Sequence, residues 1–188
     1  MHRLSSHFVL GYHGCDAAVA ERLLAGEPFR ASDKPWDWLG PGIYFWEANP
    51  HRGLQWSTEL AEKGAGVERP TVVGAVIDLG YCLDMTTLGA IEIVREAHRE
   101  LVADLTLAGL PHPTNGRTLM ARRLDCAVIK QTHELLRAQS IEVDTVRGVF
   151  VEGDPIYPGA GFDSKTHIQI CVRNLDCVKG VFRVGRTA

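Results

Sequence analysis

The sequence predicts an α+β fold in a single domain that spans residues 1–188. Strand-like segments stand at both ends of the chain and helical patterns are gathered in the middle, whereas a parallel α/β fold would alternate the two. A chain of 188 residues is long enough to bury one substantial core. No linker, internal repeat or low-complexity tract divides it.

Runs of β-branched and aromatic residues predict the strands, and apolar residues at helical spacing predict the helices. Asp16 and Thr87 are expected to cap the first and third helices, since these residue types accept hydrogen bonds from the free amides of a first turn. The expected strands are residues 7–12, 43–46, 71–79, 149–152, 168–173 and 178–184. The expected helices are residues 17–25, 51–63, 88–108 and 119–138.

Composition and charge narrow the class of protein. A net charge of −3 gives no long-range attraction for nucleic acid or for an anionic membrane, although Arg117, Arg122 and Arg123 are candidates for a local basic patch. No run approaches the ~18 apolar residues of a membrane span. The first residues also lack the apolar core of a signal peptide, since Ser5, Ser6 and His7 interrupt it. The five cysteines include no Cys-x-x-Cys pair, which is typical of free thiols. We therefore expect a cytoplasmic protein with no membrane partner.

Two short segments carry the most information about function. In Gly11-Tyr12-His13-Gly14, a predicted strand ends on an imidazole followed by glycine, a pattern that lets a ligand approach the main chain. In Gly40-Pro41-Gly42-Ile43-Tyr44-Phe45-Trp46, a rigid turn leads into a strand that carries a phenol. We expect the imidazole, the phenol and free backbone amides to lie together.

A third segment, residues 159–173, is a glycine-rich loop that enters a strand. One side-chain face of this strand carries His167, Gln169, Cys171 and Arg173. A face of this kind indicates either a polar cleft or the solvated face of an edge strand, and the pattern alone does not separate the two.

Other chemistries find little support in the sequence. The eight histidines include no His-x-x-x-His pair, so no metal site is predicted. The glycines match neither the dinucleotide fingerprint nor the P-loop. Cys15 lies two residues from His13, but a nucleophile and its base need a third orienting group. Cys126 and Cys171 lie in apolar surroundings and are expected to be inert core thiols.

Taken together, Gly11-Tyr12-His13-Gly14, Gly40-Pro41-Gly42-Ile43-Tyr44-Phe45 and the late polar strand resemble the ADP-ribosyltransferase superfamily. The likeness is to the diphtheria-toxin and poly(ADP-ribose)-polymerase branch, whose hallmark is His, Tyr and Glu on three separate strands. The resemblance implies a split antiparallel β-sheet, with residues 88–138 as a helical insertion. It also implies NAD as the co-substrate.

The resemblance assigns roles to individual positions. His13 would hydrogen-bond the adenosine ribose, Gly14 would clamp the nicotinamide carboxamide through its backbone, and Tyr44 would stack on the nicotinamide ring. Gly42 joins these three as an NAD-binding residue. The glutamate of the family falls on Gln169, so His13, Tyr44 and Gln169 are the implied catalytic residues.

Gln169 is the main departure from the family. A glutamine can hold a ribose hydroxyl through its amide oxygen, but it supplies no negative charge to stabilise a cationic transition state. Three carboxylates are candidates for that missing charge: Glu47, Glu152 and Asp163.

The resemblance implies a mono-ADP-ribosyltransferase that acts on a protein or nucleic-acid acceptor, with acceptor choice resting on the loop at residues 153–164. Small versions of the fold are often toxins or phage-defence effectors, so an antitoxin or immunity partner is an expected companion. Two alternatives stay open. One is a catalytically silent module that binds NAD or ADP-ribose, and the other is an RNA 2′-phosphotransferase, which the acidic balance of the chain disfavours.

Overall fold

The computed structural model describes residues 8–116 and 121–185. Seven strands form one sheet in the order β4-β5-β6-β2-β1-β3-β7, accompanied by four α-helices and a short 3₁₀ helix, Leu175–Cys177. The strands are β1 Phe8–Asp16, β2 Ile43–Glu47, β3 Pro70–Asp78, β4 Cys82–Asp84, β5 Thr145–Phe150, β6 His167–Val172 and β7 Val178–Arg183. The helices are α1 Ala17–Leu24, α2 Pro50–Glu62, α3 Leu88–Leu107 and α4 Arg123–Ala138. The α+β prediction is confirmed.

The sheet is mixed rather than wholly antiparallel. Strand β4 runs parallel to β5, and the other five neighbouring pairs of described strands are antiparallel. Helices α3 and α4 lie between β4 and β5 in the chain, so the predicted helical segment 88–138 contains both. A chain that leaves the sheet after β4 and crosses over through helices can return as a parallel strand.

Both predicted helix caps are confirmed. Asp16 accepts a hydrogen bond from the Ala18 amide at 2.8 Å, and Thr87 accepts one from the Ala90 amide at 3.3 Å. Helix α2 has a side-chain cap as well, since Asn49 accepts from the Arg52 amide at 3.0 Å. These short polar side chains satisfy amides that have no partner inside a helix.

Some boundaries differ from the prediction. Strand β5 spans Thr145–Phe150, whereas the predicted segment was 149–152. The prediction missed the start of the strand because Arg147 and Gly148 interrupt its apolar run. Strand β4 has only three residues and was not predicted. Helix α4 begins at Arg123, and the predicted residues before it include 119 and 120, which lie outside the described residues.

The core has two parts, one on each face of the sheet. One face buries Phe45, Ile77 and Ile170 with helix α1. The opposite face buries Val146 and Cys171 under α3 and α4. Helix α2 lies on this second face over β1 and β3, which leaves a cleft between α2 and the start of α4 above β2 and β6. None of the described helices combines the length and apolarity needed to cross a membrane.

Candidate functional site

A cavity of about 340 Å³ opens in this cleft. Its lining includes all five residues predicted from the sequence: His13, Gly14, Gly42, Tyr44 and Gln169. The imidazole of His13, the phenol of Tyr44 and the side-chain amide of Gln169 come from β1, β2 and β6. In the sheet β2 lies between β1 and β6. Three segments that are distant in sequence therefore meet in one place.

The cavity forms where β1 and β2 separate. The two strands pair at Gly11 with Glu47 and at Tyr12 with Trp46, and the described pairing stops there. The Ala48 amide donates to the Leu10 carbonyl at 2.9 Å. Because backbone groups alternate in direction along a strand, Tyr12 and then Gly14 also direct N–H and C=O toward β2. Gly14 thus presents both backbone groups to the gap.

His13 spans the same gap with its side chain. Its Nδ1 lies 2.9 Å from the Tyr44 carbonyl oxygen, the group that continued pairing would bring opposite Gly14. A carbonyl oxygen only accepts, so Nδ1 carries the proton and Nε2 of the neutral ring is an acceptor. The imidazole holds β2 in position without closing the gap.

The surroundings of His13 favour this neutral form. Burial lowers the pKa of His13 below its ordinary value, and the hydrogen bond to Tyr44 only partly opposes the shift. The ring packs against Phe29 and Phe45, at centroid separations of 5.4 and 5.7 Å. Across the described part of the chain, no hydrogen-bond partner of Nε2 is present, and His13 lines the cavity, so Nε2 can accept from a ligand hydroxyl.

Gly14 has a packing role in addition to its position in the cavity. A Cβ atom at this residue would lie 2.0 Å from the Gly53 carbonyl oxygen in α2. Only glycine allows the helix to approach the strand this closely. The same contact brings Arg52 and Trp56 of α2 to the cavity.

Tyr44 lines the cavity and also anchors the preceding turn. Its hydroxyl donates to the Gly40 carbonyl at 2.8 Å and accepts from the Leu39 amide at 3.0 Å. Burial raises the pKa of Tyr44 far above its ordinary value, so the hydroxyl stays protonated. The ring is therefore held in one place before any ligand arrives.

Gly42 lines the cavity, but its backbone groups are not free to bind a ligand. Its N–H donates to the Ser32 carbonyl at 2.9 Å, and its C=O accepts from the Ser32 amide at 2.8 Å. A Cβ at Gly42 would lie 2.5 Å from the Cys171 sulfur and 2.6 Å from the Val172 carbonyl oxygen. Glycine is required here because β2 and β6 pack closely.

Strand β6 lies between β5 and β2, so the edge-strand interpretation of residues 159–173 is wrong and the cleft interpretation holds. Gln169 faces the cavity opposite Trp46. Its amide oxygen accepts a hydrogen bond from Trp38 Nε1 at 2.6 Å. The oxygen expected to hold a ribose hydroxyl is thus already engaged by an indole.

Of the three candidate carboxylates, Glu152 is the one that lines the cavity. Glu47 is bound to Arg147, at 2.6 and 3.0 Å, and lies outside the cavity lining. Asp163 forms a β-bridge with Pro155 in the loop before β6 and is not a lining residue. Of the three, only Glu152 is therefore placed to meet a ligand in the cavity, whose lining also includes Asp37.

Arg52 holds Glu152 and was missed by the sequence reasoning. Its Nη2 donates to both carboxylate oxygens of Glu152, at 2.9 and 2.8 Å. The guanidinium is 5% exposed and lies 5.9 Å from the ring centroids of both Trp46 and Trp56. The only sequence signal is the i, i+4 spacing of Arg52 and Trp56 after a capped helix start, which places both on one helix face.

The thiols are not activated. Burial, with a smaller contribution from Asp16, raises the pKa of Cys15 to about 11, and burial also raises the pKa values of Cys126 and Cys171. A thiol of high pKa is a poor nucleophile at neutral pH, as predicted for these three. Residues 8–116 and 121–185 contain no group of three or more His, Cys, Asp or Glu arranged to hold a metal ion.

Comparison with known proteins gives no family by similarity. No family model, no curated protein and no solved structure matches this chain.

Proposed function

We propose that this protein binds NAD in the cavity and acts as a mono-ADP-ribosyltransferase of an ADP-ribosyltransferase-like fold. One observation carries the proposal. The five residues that a family resemblance singled out, from three distant segments, line a single cavity at the gap between β1 and β2.

The individual groups suit the parts of NAD. The unprotonated Nε2 of His13 accepts a hydrogen bond from a ribose hydroxyl, and the backbone N–H and C=O of Gly14 match the carbonyl and amide of a carboxamide. Tyr44 offers its ring to the nicotinamide. Arg30 and Lys34, both exposed and in the lining, suit the pyrophosphate.

The reaction breaks the bond between the nicotinamide nitrogen and the ribose anomeric carbon. The bonding electron pair moves to the nicotinamide, which leaves neutral, and positive charge develops on the ribose. The lone pair of an acceptor nucleophile then forms the new bond, and the proton of the acceptor passes to solvent or a base. Glu152 is the carboxylate that we assign to this positive charge, since opposite charge in a partly buried site stabilises it.

The acceptor is a protein or nucleic acid that contacts the loop at residues 153–164. Ile156, Tyr157 and Phe162 expose 55%, 55% and 66% of their surfaces on this loop, which precedes the Gln169 strand. A cytoplasmic toxin or defence effector, neutralised by an antitoxin or immunity partner, is the biological context that we propose for such an enzyme.

A catalytically silent NAD-binding module is the second candidate. It is favoured because Gln169 and Glu152, the two groups best placed to act on the ribose, are each already bonded to another side chain. Gln169 is neutral and bonded to Trp38, and Arg52 compensates the charge of Glu152. Binding would then persist without turnover.

The test is incubation of the protein with NAD labelled in the adenylate, in the presence of protein, DNA and RNA acceptors. An active enzyme releases nicotinamide and labels one acceptor class. Glu152→Gln should abolish this turnover, while Glu47→Gln breaks a comparable arginine pair outside the cavity and should preserve it. NAD binding by calorimetry without turnover would favour the silent module, and the absence of binding would reject both.

A further inference from the structure

We infer that Trp38 is a positioning residue that fixes the Gln169 amide with its N–H groups toward the cavity. The residue at position 169 is therefore a hydrogen-bond donor to the ligand, and it favours a ligand oxygen that accepts. The part of this inference that concerns NAD rests on the proposed function, whereas the orientation of the amide does not.

The orientation follows from the chemistry of the two groups. An indole N–H only donates, so the atom of Gln169 that lies 2.6 Å from Trp38 Nε1 must be the amide oxygen. The opposite assignment would bring two donors together. Among the described residues the amide nitrogen has no hydrogen-bond partner, and it is not a buried atom. Its two N–H groups are available to a ligand in the cavity that Gln169 lines.

The Trp38 ring cannot turn away easily. It covers Gly148, where a Cβ atom would lie 2.9 Å from the ring, and it packs against Phe150 at a centroid separation of 5.1 Å. Gly148 and Gln169 are paired across β5 and β6, so the same two strands carry the ring support and the amide. A residue whose rotamer is locked by packing can hold a neighbour in one geometry.

The consequence is a site of defined polarity. Donors at position 169 suit a hydroxyl oxygen or another neutral or anionic acceptor, and they do not suit a cation. Gln169→Glu would keep the bond from Trp38, because a carboxylate also accepts, and would replace only the cavity-facing donors by a negative oxygen. Glutamine and glutamate at position 169 thus differ only in the atom that faces the cavity.

The orientation is tested without ligand in ¹⁵N-tryptophan-labelled protein. The chain has four tryptophans, and Trp38→Phe identifies the resonance of the Trp38 indole N–H. We expect this resonance to keep its hydrogen-bonded shift in the wild type and in Gln169→Glu, and to move upfield in Gln169→Leu. An unchanged resonance in Gln169→Leu would overturn the inference. If Trp38→Phe does not fold, single Phe variants of Trp36, Trp46 and Trp56 assign the Trp38 resonance by elimination.

Coupling of the two residues is tested by calorimetric titration with NAD. Trp38→Phe should weaken binding about two- to tenfold, the worth of one hydrogen bond, but should have no effect in the Gln169→Leu background. Trp36 lines the same cavity and has no bond to Gln169, so Trp36→Phe should give the same change in both backgrounds. Independent effects of Trp38→Phe and Gln169→Leu would refute the positioning role. A wild type that does not bind NAD would reject the proposed function, and the indole resonance would still decide the orientation.

Discussion

Two amide substitutions of His13 separate its structural bond from its proposed ligand bond. Asparagine carries its amide at the position of Nδ1, which donates to Tyr44, and glutamine carries its amide near Nε2, which faces the cavity. Both lose the ring contacts with Phe29 and Phe45. His13→Asn should therefore be more stable than His13→Gln by about 0.5–1.5 kcal/mol, the net worth of one hydrogen bond.

The order should reverse for NAD. His13→Gln retains an acceptor near Nε2 and should bind NAD roughly two- to tenfold more tightly than His13→Asn. Urea unfolding gives the first comparison and calorimetric titration the second. If the two variants rank in the same order in both assays, His13 acts on NAD only through the fold and makes no hydrogen bond to it. His13→Ala removes the ring and both bonds at once, and we expect it to lower the stability of the ligand-free protein.

Two further predictions test other parts of the site, and a third concerns His133, a buried residue of α4 outside the cavity lining. Tyr44→Phe keeps the ring and should retain NAD affinity while losing about 1–3 kcal/mol of stability with its two hydrogen bonds, whereas Tyr44→Ala should also weaken binding by roughly one to two decades in a calorimetric titration. Gly14→Ala forces a Cβ against the Gly53 carbonyl and should cost about 1–3 kcal/mol in urea unfolding, while Gly180→Ala, with open space around its Cβ, should leave the midpoint unchanged. Burial lowers the pKa of His133 to about 3, with smaller contributions from nearby arginines, so the unfolded chain takes up the proton first as pH falls below ~6.5. This residue should therefore remove roughly 2 kcal/mol of stability between pH 7 and 5, and urea unfolding of His133→Phe should show a correspondingly smaller loss.

The parts of the fold that were predicted correctly are those with a local signature. A capping residue and a helical repeat predict helices α1, α2 and α3. A run of aromatic and β-branched residues predicts the strand that carries Tyr44. Strand β4 has three residues, too few to show any alternation. It exists because β5 offers a free edge, a condition that the sequence of β4 does not contain.

In the candidate site, too, the residues with a local sequence pattern were predicted and the contacts between distant segments were not. Glycine next to a polar ring in a strand-like run is a local pattern, and it led to His13 and Tyr44, although β1 continues through His13 to Asp16 instead of ending there. Two other pairs in the cavity lining join residues that are distant in sequence: Trp38 is 131 residues from Gln169, and Arg52 is 100 residues from Glu152. No local pattern relates such pairs, because they meet only through the sheet register and the approach of α2 to β1.

The cavity lining carries more basic than acidic side chains, whereas the chain as a whole is acidic. A net charge of −3 predicts no attraction for an anionic ligand. The cavity lining nevertheless includes Arg30, Lys34, Arg52 and Arg122 against two acidic side chains, Asp37 and Glu152. Arg52 is compensated by Glu152 and Arg122 pairs with Asp125 at 3.4 Å, whereas Lys34 is exposed and lies 6.0 Å from the centroid of the Trp36 ring. Because short-range fields decide binding at a cavity, a local excess of cations can recruit a pyrophosphate to an acidic protein.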